Sequence, residues 1–268
     1  MAFDAGMLAC MVHEIRTVAL GGRIEKVMQP ERDEIILQLR STEGGKRLLI
    51  NAGAGPRMSF TDLTRENPAQ APMFCMLLRK HLTGARLADI RQEGFERVVT
   101  LEFDTRDEMG FACTRRIVAE IMGKYSNLIF TDGDGKIISA LKTVDFTTSA
   151  QRQVLPGMRY ELPPAQDKDN PLEVDFARFA ELYAAESPDK PLDKFILSRF
   201  CGISATVARE MAVIMSPYFL WISAFSQSAS SPLWMSSFFL IRLSALVSRR
   251  NTSAARWRMR DSLSRVSK

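Results

Sequence analysis

The sequence is poor in the residues that usually mark a catalytic or metal centre. It has two histidines and four cysteines in 268 residues. Cys10, Cys75, Cys113 and Cys201 lie 38 or more positions apart and include no CxxC pair, so no four-ligand zinc set can be drawn from spacing. Scattered thiols and the lack of an apolar secretory segment at the N-terminus point to a reducing, cytoplasmic setting. There is no GxSxG, no HExxH and no phosphate loop. Gly53-Ala-Gly55 runs into Pro56 with no Lys-Ser/Thr and reads as a turn. No catalytic residue, metal or cofactor is nominated. Strong positive charge is also missing where it would matter. The net charge is +5, but residues 217–268 carry seven Arg and one Lys against Asp261, leaving residues 1–216 at −2. A polyanion partner must therefore be recognised by local groups, not by bulk charge.

What is present is a chain of short, regular elements. Met7, Leu8, Met11, Val12, Ile15 and Val18 recur at helical steps before Gly21-Gly22, which predicts an amphipathic helix over 5–20. A second helix is expected from Pro72 to Leu82. Alternating apolar runs at 23–29, 33–40, 46–51, 86–92, 97–104, 114–121, 127–131 and 136–141 predict strands, with Asp132-Gly-Asp-Gly135 as a hairpin turn. Many strands with few helices between them give an α+β class and an antiparallel sandwich or barrel over residues 1–165. Leu155-Pro-Gly157 and Pro163-Pro164 through Asn170-Pro171 read as a stiff connector. Beyond it, 175–185 and 192–215 are helical in pattern, the latter broken at Gly202, so a small helix-hairpin-helix domain is expected over 172–216. Its turn is a candidate for facing a phosphate.

Residues 217–268 differ in kind. They hold thirteen Ser and all three Trp, but no Gly. This composition is that of a non-native tail such as a shifted reading frame produces. The uncharged run from Met211 to Ile241 is long enough to span a bilayer, but Pro217, Pro232 and its serines make a membrane anchor the weaker reading.

The candidate functional residues are polar groups at element ends. Arg79 and Lys80 close the second helix, Glu96 and Arg97 lie in a turn entering a strand, Glu120, Ile121 and Met122 through Lys124 end another, and Arg152 stands further along the chain. Together they describe a backbone-tracking patch for RNA, in which Lys80 and Arg97 neutralise phosphates and Glu120 accepts from a base edge. His13, on or beside the apolar stripe, reads as a structural histidine. His81, beside Arg79 and Lys80, reads as a favourable charge at a helix C-terminus.

Ala2-Phe-Asp-Ala-Gly6, Gly22-Arg-Ile-Glu-Lys-Val-Met-Gln-Pro30, Pro72-Met-Phe-Cys-Met-Leu-Leu-Arg-Lys-His-Leu82, Gly94-Phe-Glu-Arg97, Glu120-Ile-Met-Gly-Lys-Tyr-Ser-Asn127 and Leu155-Pro-Gly157 resemble the N-terminal domain of the NFACT family over about residues 1–215. The resemblance implies a β-sandwich similar to the N-terminal domain of formamidopyrimidine-DNA glycosylases. It also implies a ribosome quality-control factor that is not itself an enzyme. Such a factor binds an obstructed large (50S) ribosomal subunit carrying peptidyl-tRNA and recruits alanyl-tRNA for template-independent Ala tailing. The family's Asp-Arg pair maps to Glu96-Arg97, and its tRNA-contacting Glu-Ile-Met maps to Glu120-Ile121-Met122. The family's long coiled coil and second NFACT domain do not follow, so a truncated product that binds tRNA weakly is expected. A fibronectin-binding surface adhesin is the rival reading. DNA is not an expected partner, because the N-terminal proline nucleophile and zinc finger of the glycosylases have no counterpart here.

Overall fold

The computed structural model describes residues 3–164, 166–187 and 189–225, with side chains to residue 215. Residues 226–268, and so most of the tail and more than half of the Met211–Ile241 run, lie outside the described residues. By contacts, the chain divides into two units. The first takes in the residues up to Pro171 together with Leu197–Thr206, and the second takes in Leu172–Ile196 and the chain from Val207 on.

In the first unit Asp4 starts helix α1 (Ala5–Ala19) by accepting a hydrogen bond from Met7 N with its side chain. Leu8, Val12, Ile15 and Ala19 form its buried stripe. Strands β1 (Arg23–Glu31), β2 (Glu34–Ser41), β3 (Gly44–Asn51) and β4 (Arg57–Phe60) follow, then α2 (Met73–Leu82). After these come β5 (Arg86–Gln92), β6 (Val98–Arg106), β7 (Ala112–Glu120), β8 (Asn127–Asp132) and β9 (Ile137–Ala140). The strands form one antiparallel sheet of order β4-β3-β2-β1-β5-β6-β7-β8-β9. The sandwich expected from sequence is thus corrected to a single hydrogen-bonded sheet. Its two meanders meet only at the start of β1 and β5, through the pair Arg23 and Arg86.

One face of the sheet carries the main core, with Ile35, Leu37 and Leu39 of β2 and Val99, Leu101 and Phe103 of β6 packed with the buried faces of α1 and α2. The other face of β6–β9 holds a second cluster of Val98, Val118, Ile129, Ile137, Ala140 and Val154, with Met122, Val144 and Tyr160 against it. Because both faces are covered, β8 is buried along Asn127–Thr131, and Leu128-Ile-Phe130 within it is a continuous apolar run instead of an alternation.

Residues 144–160 supply the outer cover. Val144 and Val154 exchange backbone hydrogen bonds. Gly157 N donates to Ile137 O, Ile137 N to Met158 O, and Tyr160 N to Gly135 O. Asp145 folds the turn by accepting from Thr147 and Thr148, and those hydrogen bonds lower its pKa to about 2. The first part of the expected connector, Leu155–Gly157, is therefore bonded to the edge of β9 and is not a free linker. Strand β4, pairing Leu48–Asn51 with Arg57–Phe60, is too short to show a pattern after Pro56.

In the second unit, Asp175 caps α3 (Phe176–Ala184). Phe195, from α4 (Leu192–Arg199), receives Phe179 and Tyr183 edge-on at 5.5 and 5.1 Å. Helix α5 runs over Ala205–Phe225. The glycine turn between α4 and α5 belongs to the first unit. Ala5 N donates to Gly202 O, and Ser204 Oγ donates to Asp4 Oδ2 at 2.8 Å. Arg199 pairs with Asp169 at 2.8 Å. The segment expected as a helical domain over 172–216 thus includes a turn that groups with the first unit, and the Cα of Gly202 is packed there against Phe95 and Ala5.

Gly202 has φ +69°, and a Cβ there would stand 2.3 Å from Phe95 O and 2.7 Å from Ala5 Cβ. Left-handed strain and a clash with backbone together predict that Gly202→Ala costs about 3 kcal/mol, checked as a lowered urea midpoint of the full chain.

Candidate nucleic-acid interface

The register of β6 and β7 brings the sequence-predicted residues of two different turns together. Val98 pairs with Glu120, and Ile121 N donates to Arg97 O at 2.8 Å. The Glu93–Arg97 turn and the Met122–Ser126 turn therefore leave the sheet side by side. The same end holds the start of α1, since Gln92 Nε2 donates to both Ala5 O and Glu96 O.

At its base Glu120 is 3% exposed. Its carboxylate takes a two-pronged hydrogen bond from Arg152, at 2.7 and 3.2 Å, and a third from Tyr160 Oη at 2.9 Å. The Arg152 guanidinium also stands over the Tyr160 ring, 5.0 Å from its centre. Burial works against the Arg152 cation, but the Glu120 hydrogen bond and charge outweigh it and raise its pKa. Burial, then the Glu120 charge, pushes the Tyr160 hydroxyl well above its ordinary value, so it remains a donor. Glu120 is therefore not the free acceptor for a base edge that the sequence suggested. It anchors the turn that follows. Ile121 is likewise buried in the main core, and Met122 packs half-buried on the outer cluster.

What the turn presents to solvent lies just beyond. Met122 N donates to Ser126 Oγ, Ser126 N to Gly123 O, and Tyr125 N to Met122 O, closing a one-turn 3-10 helix over Gly123–Tyr125. Asn127 and Lys142 brace it from below: Asn127 Nδ2 donates to Lys142 O, and Lys142 Nζ donates to Ser126 O and Ala52 O. Across from it Arg97 is half-exposed, and among the described residues no side chain bonds its guanidinium. Glu96 lies beside Cys201. Burial, then the Glu96 charge, raises the Cys201 thiol pKa. Burial also raises that of Cys75 despite Arg79. Neither thiol is a ready nucleophile.

Arg79 and Lys80 do not join this group, which corrects the single patch expected from sequence. Lys80 pairs with Glu108 at 2.5 Å, beyond the far end of β6. Nine residues of β6 separate that end from Arg97, roughly 25–30 Å of extended chain. Arg79 turns inward, with Nε donating to Val27 O at 2.8 Å beside a small cavity also lined by Gln29 and Cys75. His13, expected to be structural, is exposed on α1. His81 is half-buried 5.7 Å from the Phe130 ring. Its pKa is lowered, first by burial and then by the Arg115 and Lys80 charges, so the charge expected at this helix end is disfavoured. Arg152 and Glu120 both stood out in the sequence as members of the polar set, but their pairing did not. Tyr160 carried no signal beyond its place after Leu-Pro-Gly.

With this geometry in view, comparison with known proteins gives a direct answer. Residues 4–236 match the family described as NFACT N-terminal and middle domains. The chain belongs to the NFACT family. It is 38% identical over 215 residues to the Rqc2 homolog RqcH of Bacillus subtilis, a match covering 78% of this chain and 37% of that protein. It is 34% identical over 217 residues to the RqcH of Streptococcus pneumoniae serotype 2, covering 80% and 39%. The chain thus spans under two fifths of the length of these NFACT relatives. Among solved structures, the N-terminal domain of fibronectin-binding protein PavA from Streptococcus pneumoniae superposes with a TM-score of 0.75 at 34% identity, covering 84% of this chain and 83% of that one. Among the described residues no helix is long and apolar enough to cross a membrane.

Two outcomes follow from the charges. Arg152→Met leaves Glu120 buried without its cation and is expected to lower stability by about 3 kcal/mol, whereas Tyr160→Phe, which removes one hydrogen bond, costs about 1 kcal/mol. Urea unfolding of each variant checks the order. Because folding depresses the His81 pKa below 6.5, its contribution is whole above pH 6.5, falls as pH drops through that value, and levels off below the folded pKa. His81→Gln is expected to flatten that part of the stability-pH curve.

Proposed function

We propose that this chain is the tRNA-binding front of a ribosome quality-control factor. In this reading it engages an obstructed large ribosomal subunit with its peptidyl-tRNA and recruits alanyl-tRNA for Ala tailing, and the peptide-bond chemistry belongs to the ribosome. It acts as a binding factor in the cytoplasm, not as a catalyst. The observation that carries the reading is the Arg97 guanidinium, which has no side-chain partner among the described residues and stands on backbone that is fixed to Ile121 N and flanked by a braced turn. A cation held this way suits a phosphate, because the protein has already fixed the backbone that carries it. The names of the relatives, RqcH in both bacteria, support the same class of process.

Binding of labelled tRNA to the full chain, read by fluorescence anisotropy across KCl concentrations, tests this. The parent is expected to lose affinity steeply with salt, and Arg97→Ala to bind about tenfold more weakly at low salt with a slope smaller by about 0.7–0.9. Equal affinity and slope in parent and variant overturn the assignment of Arg97. The name of the structural neighbour PavA supports a second reading, binding of fibronectin. Retention of the full chain on immobilised fibronectin, with no measurable tRNA binding, decides for it.

A further inference from the structure

The Gly123–Tyr125 turn carries an aromatic ring that the fold does not use. Tyr125 is 72% exposed and contributes to neither hydrophobic cluster. Its only described ring contact is with Lys124, whose Nζ stands 4.8 Å from the ring centre. The backbone under it is nonetheless among the most constrained in the unit. It is closed by three hydrogen bonds of its own, tied to Lys142 through the buried Ser126, and rooted in the Glu120–Arg152–Tyr160 cluster. Gly123 permits the turn at φ +61°. A large ring held out in water on fixed backbone loses little freedom when a flat partner covers it. The Lys124 ammonium stands over one face of the ring and is exposed, so a positive charge that a phosphate can meet lies next to the aromatic surface.

We propose that Tyr125 is a stacking platform for one unpaired base of the bound RNA and that Lys124 neutralises a phosphate adjoining that base. The assignment rests on the tRNA reading above and narrows it. The segment gripped at this end of the sheet is single-stranded, because a base inside a duplex has no free face to offer. Arg97, leaving the sheet next to Ile121, then holds the backbone on one side of the stacked base and Lys124 on the other. Specificity at this position is loose, since every base has a π-face.

Full-length Tyr125→Ala, Tyr125→Phe and Lys124→Ala chains, first shown to keep the parent's urea midpoint, are titrated with tRNA and with a blunt RNA duplex. Tyr125→Ala is expected to weaken tRNA binding about tenfold with an unchanged salt slope and unchanged duplex affinity. Tyr125→Phe keeps the ring and is expected to bind within about twofold of the parent. Lys124→Ala is expected to reduce the salt slope by about 0.7–0.9. Three results overturn the platform: Tyr125→Ala matching the parent while Arg97→Ala is impaired, Tyr125→Phe losing as much as Tyr125→Ala, or equal losses on tRNA and duplex. In each of these the tRNA reading stands. If the parent itself binds no tRNA, that reading fails first and the platform falls with it.

Discussion

A carboxylate taken out of water governs this end of the molecule. Glu120 closes β7 where the sheet's outer face is covered, and an ionised group there is tolerated only with its lone pairs filled. Arg152 and Tyr160 fill them, at 2.7, 3.2 and 2.9 Å. Both come from the irregular segment after β9, so a stretch with almost no regular structure is tied to the middle of the sheet. The turn beyond Glu120 inherits that rigidity. The backbone of Arg97 opposite, whose guanidinium has no partner among the described residues, is held by the same strand pairing.

This arrangement divides labour among residues that the sequence presents as one motif. In Glu120-Ile-Met-Gly-Lys-Tyr, the first residue is a buried anchor, the second is main-core packing and the third covers the outer cluster. Gly123, Lys124 and Tyr125 are exposed. A change at any of the first three positions therefore acts first on the packing that holds the turn, whereas Lys124 and Tyr125 belong to neither cluster.

Much of the fold was legible in advance. Helix α1 follows from its apolar stripe, and β2 and β6 follow from Ile35-Leu37-Leu39 and Val99-Leu101-Phe103 recurring at every second position with that face on the main core. The antiparallel class followed from turns too short for crossovers. Three things were hidden, each for a physical reason. A single sheet and a sandwich share the same alternation, so the joint at Arg23 and Arg86 leaves no trace in the pattern. Leu155-Pro-Gly157 has linker composition because proline and glycine suit a tight return along β9 as well as a free connector. The patch was misjudged because proximity along the chain says nothing of ends. Lys80, at the end of its helix, reaches Glu108, while the Glu96-Arg97 turn and Glu120, distant in sequence, are brought to one end of the sheet by the pairing of Val98 with Glu120. Arg152 showed the limit most clearly, since an arginine looks solvated until its buried acid is known.

The backbone hydrogen bonds that residues 157–160 make along β9 also settle how the sheet ends. A bare outer strand invites a strand from another molecule. Here one margin ends at Ile137 against a segment of its own chain, through Gly157 and Met158, and the other is β4, four residues long and starting at Arg57. A covered margin and a short one are both devices that blunt an edge against strand addition.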